Sequence, residues 1–387
     1  MKIGAIDLIP VSIAYTHRET SAQVDRDGVT AVVVKVTSDD GRVGWGESCS
    51  GANVESVAEA LKGMCPFVLG RAPWEREAIR AELWHWGLWQ FRKPTASFAF
   101  AGIDMALADL AGKACGEPLY NLLGGTTRDT INYFYYLKRG SPAELAEQCR
   151  HGRALGFHVF YLKVGLDIEA EVEMVRSVRA AAGADAKIRL DANMAWSVNE
   201  AVRNLARLDA YRIDFIEQPV RAEPVAGMQE VRRRTPVAVC ANEGLWTAED
   251  AYRQITGRAA DVFCFSPYWV GSLSQFQRLC HVAHFEGLNV VKHSHGELGI
   301  AAAAAHHVLL TLPNVVDGNQ HTAHIMQDDI LKQPLPIATG PNWGVPCGSG
   351  LGIEVDEEKV ARYHQAYLER GQFLPYDTAR WRAPKDQ

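Results

Sequence analysis

Between residues 126 and 330, short β-branched or aromatic runs alternate with amphipathic stretches of helical length. The runs are Ile131–Tyr136, Val159–Val164, Ile188–Asp191, Ile213–Glu217, Pro236–Ala241, Asp261–Ser266, Leu288–Lys292 and Asn314–Asp317. A repeat of roughly 25 residues is one strand, one loop and one helix, and eight such units close a parallel barrel. An open doubly wound sheet is the rival, but it would want a phosphate or dinucleotide loop, and neither G-x-G-x-x-G nor a P-loop is found. Residues 1–125 follow a different pattern. Thr30 to Thr37 alternate, turn at Asp39-Asp40-Gly41 and run into Val43-Gly44-Trp45-Gly46-Glu47, which predicts an antiparallel hairpin. From Val54 the spacing is helical as far as Leu122-Leu123-Gly124-Gly125, where glycines can stop a helix. The expected fold is therefore α/β, a barrel preceded by an α+β unit. Residues 331–387 are first Pro- and Gly-rich, then carry the apolar-flanked run Ile353-Glu354-Val355 and a helix from about Glu357 to Arg370, a tail expected to pack back on the first unit.

Composition narrows the function classes. With 47% hydrophobic and 22% charged residues the chain has the mix of a globular protein with a large core. A formal charge of −6 gives no footprint for polyanions, and Arg232-Arg233-Arg234 is short enough to be a helix end, so nucleic acid is not an expected partner. The eight cysteines have no paired zinc-type spacing, and several lie in apolar strands, which fits a reducing cytoplasm. No apolar stretch approaches a membrane span, and Met1-Lys2-Ile3-Gly4-Ala5 leads into strand-like sequence rather than a signal peptide. No membrane partner is expected.

Polar residues concentrate at the C-terminal ends of the expected strands, the edge where barrel enzymes build active sites. Asp191, Glu217 and Glu243 recur at 26-residue steps, which predicts one level on successive strands. Three converging carboxylates repel each other unless a cation neutralises them, and Mg²⁺ suits such hard oxygen donors. Each acid taken singly would as readily pair with a local Lys or Arg. Lys163 stands one strand earlier, where a neighbouring metal would lower its pKa toward that of a base; alternatively it is a counter-ion for the acids. Across the barrel, Lys292-His293-Ser294-His295-Gly296-Glu297 offers two histidines at alternating positions, either able to serve as acid or base near neutral pH.

Taken together, these motifs resemble the mandelate racemase and muconate lactonizing enzyme family of the enolase superfamily. The likeness runs over nearly the whole chain: Val43-Gly44-Trp45-Gly46-Glu47, Gly102-Ile103-Asp104-Met105-Ala106-Leu107-Ala108-Asp109, Lys163-Val164-Gly165, Asp191-Ala192-Asn193, Glu217-Gln218-Pro219, Asn242-Glu243 and Gly350-Leu351-Gly352-Ile353-Glu354. The resemblance implies a modified TIM barrel, (β/α)7β, with an α+β capping domain formed by residues 1–125 and completed by 331–387. It implies Mg²⁺ on Asp191, Glu217 and the acid after strand five, with Glu243 as the expected ligand and Asn242 as the alternative through its amide oxygen. It implies Lys163 as the base that removes the α-proton of a carboxylate substrate via an enediolate. Tyr161 stands where the family has the first lysine of K-x-K, and Ser266 where relatives place a lysine or an aspartate that supports histidine.

With Lys163 as base and His295 or His293 as acid, dehydration of a hydroxy acid or sugar acid is the leading expectation, followed by racemisation or epimerisation and by cycloisomerisation. A barrel that binds without catalysis is the remote alternative, and a Schiff-base lyase on Lys163 another. The expected partner is a small-molecule carboxylate, with assembly into a homo-oligomer. Expected substrate contacts are Tyr161, Asn193, His17, Arg18, Arg26, Trp45, Ser266 and Trp269, the two arginines pairing with a second carboxylate. Trp86, Trp89 and Tyr268 are expected to join Trp269 in an aromatic wall.

Overall fold

Strand β1 (Ile3–Thr20) pairs antiparallel with β2 (Asp25–Ser38), and β2 with β3 (Val43–Cys49), in a computed structural model that describes residues 1–87, 91 and 94–374. Val34 lies opposite Gly46 and Thr37 opposite Val43, so the expected hairpin is present and β1 extends it to three strands. Helices α1 (Val54–Val68), α2 (Arg76–Trp86), α3 (Thr95–Cys115) and α4 (Leu119–Leu122) follow. Helix α3 is buried from Ala96 to Gly112 because it crosses the sheet at very short range. A Cβ on Gly46 would overlap the Gly102 carbonyl oxygen and stand 2.7 Å from the Ala106 nitrogen, so only glycine lets strand and helix meet there.

The barrel is a seven-stranded parallel sheet in chain order. Its strands are β5 (Tyr135–Leu137), β6 (Val159–Lys163), β7 (Lys187–Asp191), β8 (Phe215–Glu217), β9 (Val239–Ala241), β10 (Val262–Phe265) and β11 (Asn289–Lys292). Helices α5 (Pro142–Ala154), α6 (Ile168–Ala182), α7 (Val198–Leu208), α8 (Ala226–Arg234), α9 (Ala248–Thr256), α10 (Pro267–Val270), α11 (Leu273–Phe285) and α12 (Gly299–Leu310) alternate with them. Capping boxes Ser141/Glu144 and Ser197/Glu200 start α5 and α7. Two expected strands take another form. Ile131–Tyr136 is split: β4 (Thr130–Asn132) turns away to pair with β12 (Asn342–Gly344), and Tyr133 is pinned between by Pro341 and by His306, 2.9 Å from its hydroxyl. Asn314–Asp317 makes only a single bridge, Val290 to Val315, and the barrel closes just beyond it, where Asn319 bridges to Tyr133. Gln320 N–H donates to Lys292 O, and Asn319 N–H to Asn132 O. This is the (β/α)7β pattern, with the last strand irregular.

The tail returns to the first sheet. Helix α13 (Glu357–Arg370) packs on β1, with His364 Nδ1 2.7 Å from Pro10 O and Lys35 Nζ 2.7 Å from a Glu357 oxygen. The run Ile353–Val355 makes one bridge, Leu331 to Val355. Gly348, Gly350 and Gly352 all adopt positive φ just before it and coil the backbone out of an extended path. No helix among the described residues is long and apolar enough to cross a membrane. Gly46→Ala is expected to cost about 1–3 kcal/mol or more of stability by forcing α3 off the sheet. Thermal unfolding checks this, and an unchanged midpoint would contradict the contact.

Candidate active site

Lys163, Asp191 and Glu217 end three adjacent strands and are paired in register, Lys163 with Asp191 and Asp191 with Glu217. A parallel sheet with such pairing holds the three side chains at one level of the C-terminal mouth. Glu243 does not share that level, because the β9 partner of Glu217 is Cys240 and Glu243 lies in the loop beyond. Equal spacing in sequence misled here, since the connections differ in length. Asn193 restores the link. In the left-handed region (φ 42°), it donates its amide N–H to Asp191 Oδ1 at 2.8 Å and its side-chain NH₂ to Glu243 Oε1 at 2.9 Å. Asn242 is engaged in the barrel wall, its NH₂ donating to Cys264 O at 3.0 Å and its backbone N–H to Gln218 Oε1 at 2.8 Å. Gln320, which no sequence pattern pointed to, donates to both oxygens of Glu217, at 2.8 and 3.1 Å.

Lys163 Nζ is 2.5 Å from Asp191 Oδ2, and the Tyr161 hydroxyl donates to the same oxygen at 2.6 Å. On the far side β11 ends at Lys292, so His293 and His295 stand on the loop beyond it, rings 6.1 Å apart. Trp269 lies against His293 at 4.4 Å and Trp246 against Trp269 at 4.8 Å, while Phe98 packs on His295. The rest of the expected aromatic wall is elsewhere. Trp86 is 68% exposed, Tyr268 is buried with its hydroxyl on Glu47, and Trp89 lies outside the described residues. Ser266 is buried and serves as a cap, accepting the Tyr268 N–H at the start of α10.

The arginines expected to meet a second carboxylate already have one. Arg18 pairs with Asp25 and Asp27 at 2.6 and 2.9 Å, and Arg26 with buried Glu19 at 2.7 Å, also donating to His295 O at 3.2 Å. Glu19 additionally accepts from the Tyr136 hydroxyl at 3.3 Å. His17 lines a cavity of about 620 Å³ with Tyr135, Lys138, His151 and His324, against α5 rather than beside the acids. Trp45 lies under the Lys35 ammonium with its backbone N–H donating to Asp109, packing the cap.

Residues 144–359 match the family described as Enolase C-terminal domain-like, and residues 7–124 match the Mandelate racemase / muconate lactonizing enzyme, N-terminal domain. The chain belongs to the mandelate racemase / muconate lactonizing enzyme family of the enolase superfamily. It is similar to the D-galactarolactone cycloisomerase of Agrobacterium fabrum, 28% identical over 89% of this chain and 93% of the relative. A Streptomyces coelicolor structure described as an enolase superposes with a TM-score of 0.88 at 29% identity, covering 97% of this chain and all of that one. The dipeptide epimerase of Enterococcus faecalis, solved with Mg and L-Leu-L-Tyr, gives 0.85 at 25% identity over 92% of this chain and 100% of that one. This family member is accordingly an enzyme.

Members of the superfamily bind Mg²⁺, and the donors here suit it. Glu243 Oε2 and Asn193 Oδ1 are buried without a hydrogen-bond partner, and a cation would take such oxygens. Burial, together with the Asp191 charge, pushes the Glu217 carboxyl well above the carboxylate range and the Glu243 carboxyl up to about 7. Burial opposes the Lys163 ammonium, but Asp191, Glu19 and Glu217 outweigh it and hold its pKa above the ordinary lysine value. Without a cation Lys163 is therefore the acids' counter-ion rather than a poised base. The histidines differ from expectation too: burial and then His295 push His293 well below its ordinary value, and burial and then Arg26 push His295 to about 4. No carboxylate supports either charge better than these cations oppose it. Among the described residues, the trio whose ligand atoms all lie within 4.8 Å is Glu217, Cys240 and Cys264, so the three acids are spread more widely. Burial pushes both thiols up, and a neutral thiol is a poor ligand.

The raised Glu243 pKa has a stability sign. A carboxyl that keeps its proton longer folded than unfolded contributes stability at low pH, which is lost as pH rises from about 4.5 to about 7. In the metal-free protein Glu243→Gln is expected to raise the unfolding temperature at pH 8 and to have little effect below pH 5. Calorimetry at both pH values checks this, and an equal effect at both would contradict the assignment.

Proposed function

We propose that this enzyme removes the α-proton of a hydroxy-acid or sugar-acid carboxylate, with Lys163 as base and Asp191, Glu217 and Glu243 holding Mg²⁺. The observation that carries the reading is the alignment of Lys163, Asp191 and Glu217 on three neighbouring strands, with an unpartnered Glu243 oxygen joined to them through Asn193. When bound, Mg²⁺ supplies Lewis-acid stabilisation of charge on the substrate carboxylate.

The chain's own groups set the geometry. Lys163 takes the proton at Nζ, and Arg139, donating to its carbonyl oxygen at 3.1 Å and to Glu171 at 2.8 Å, fixes the base's backbone. Tyr161 occupies the place of the first lysine of K-x-K and holds the Asp191 carboxylate by a neutral hydrogen bond. Gln320 orients Glu217 by both oxygens. In dehydration His295 or His293 delivers a proton to the departing β-oxygen, which requires bound substrate to offset the burial and the neighbouring cations that hold both rings neutral in the empty site. The cycloisomerase relative favours a second reading, in which the same proton removal drives an internal ring opening or closure and no water is lost.

The test is proton NMR in D₂O with Mg²⁺ over a panel of hydroxy and sugar acids. Deuterium should replace the α-proton of at least one acid, and Lys163→Ala should slow this by about 10²–10⁴-fold. A keto-acid product supports dehydration, and an isomer supports the second reading. Exchange that survives chelation, or that Lys163→Ala leaves unchanged, contradicts the proposal.

A further inference from the structure

We infer that the substrate carries a single carboxylate and that its far end is uncharged and hydroxyl-bearing. This rests on the reading of Lys163, Asp191, Glu217 and Glu243 as the carboxylate-binding end. The capping segment from Tyr15 to Arg26 closes the other end, and it arrives electrically paired. Arg26 is 9% exposed and Glu19 6% exposed, and they are joined at 2.7 Å. The pair spans the mouth: Glu19 lies within electrostatic reach of Lys163, and Arg26 reaches the backbone oxygen of His295. A second substrate carboxylate arriving here would meet an arginine already neutralised, and taking it would leave Glu19 buried without a counter-charge. A cationic group on the substrate would strand Arg26 in the same way. The outer arginine, Arg18, is held by Asp25 and Asp27.

What the mouth does offer are neutral polar atoms without partners. Trp269 Nε1, on a side chain 2% exposed, is an unpaired donor. His293 Nδ1 beside Trp269 is also unpaired. Buried polar atoms left bare are costly, and substrate hydroxyls can serve them, since each hydroxyl donates and accepts. The buried mouth thus offers neutral hydrogen-bonding capacity, while Arg18 and Arg26 are already paired.

The test compares aldonic acids with the matching aldaric acids, which differ only in a far hydroxymethyl or carboxylate group, by calorimetric binding to the full-length protein in Mg²⁺. Aldonates should bind about tenfold or more tighter than their aldarate partners. Glu19→Gln, which keeps the shape but frees the Arg26 charge, should narrow or reverse that ratio. Aldarates binding as tightly as aldonates, a ratio unmoved by Glu19→Gln, or binding of neither class overturns the inference. α-Proton exchange is followed on the same samples: aldonate binding without exchange leaves the inference standing and removes the proposed reaction instead.

Discussion

Three buried carboxylates face one buried ammonium at the barrel mouth, and that imbalance is the constraint on which the site depends. Lys163 satisfies one oxygen of Asp191, which Tyr161 shares, and among the described residues no ammonium pairs with Glu217 or Glu243. In a low-dielectric site the remaining charge has two outlets, uptake of protons or uptake of a cation. The raised pKa of both glutamates expresses the first, and the unpartnered Glu243 oxygen invites the second. The barrel cannot relax the strain by separating the groups, since strand register fixes three of the four.

The cap maintains the dry surroundings that make this charge arrangement matter. Glu47, at the end of β3, accepts from the Tyr268 hydroxyl and from the N–H groups of Leu298 and Ala301, which pins the cap sheet to the barrel loops on the histidine side. The Glu19–Arg26 pair does the same above Lys163 and His295. Both locks use cap carboxylates, so the capping sheet helps define the electrostatics of the pocket as well as covering it.

The sequence was most legible where a periodic pattern has a single structural solution. Alternation located the hairpin and the barrel strands, and strand-end residues located Lys163, Asp191 and Glu217. Spacing failed once the chain left the strands. Glu243 and the two histidines lie in loops, where residue count no longer fixes height; Asn193, expected at the substrate, ties Asp191 to Glu243 instead, and Gln320, which orients Glu217, carries no pattern of its own. Charge was misread for a related reason. Arg18 and Arg26 look available in a sequence, but their partners Asp25, Asp27 and Glu19 lie across a hairpin whose register only the fold reveals. Ser266 likewise looked like part of a pocket and is a helix cap.

The central claim is that Asp191, Glu217 and Glu243 share one divalent ion. Anomalous diffraction from crystals grown with Mn²⁺, which replaces Mg²⁺ at oxygen sites, tests it most directly. The account predicts one peak within coordination distance of all three carboxylates, with Lys163 Nζ drawn away from Asp191. A peak at Glu217, Cys240 and Cys264, or none at the mouth, would contradict it.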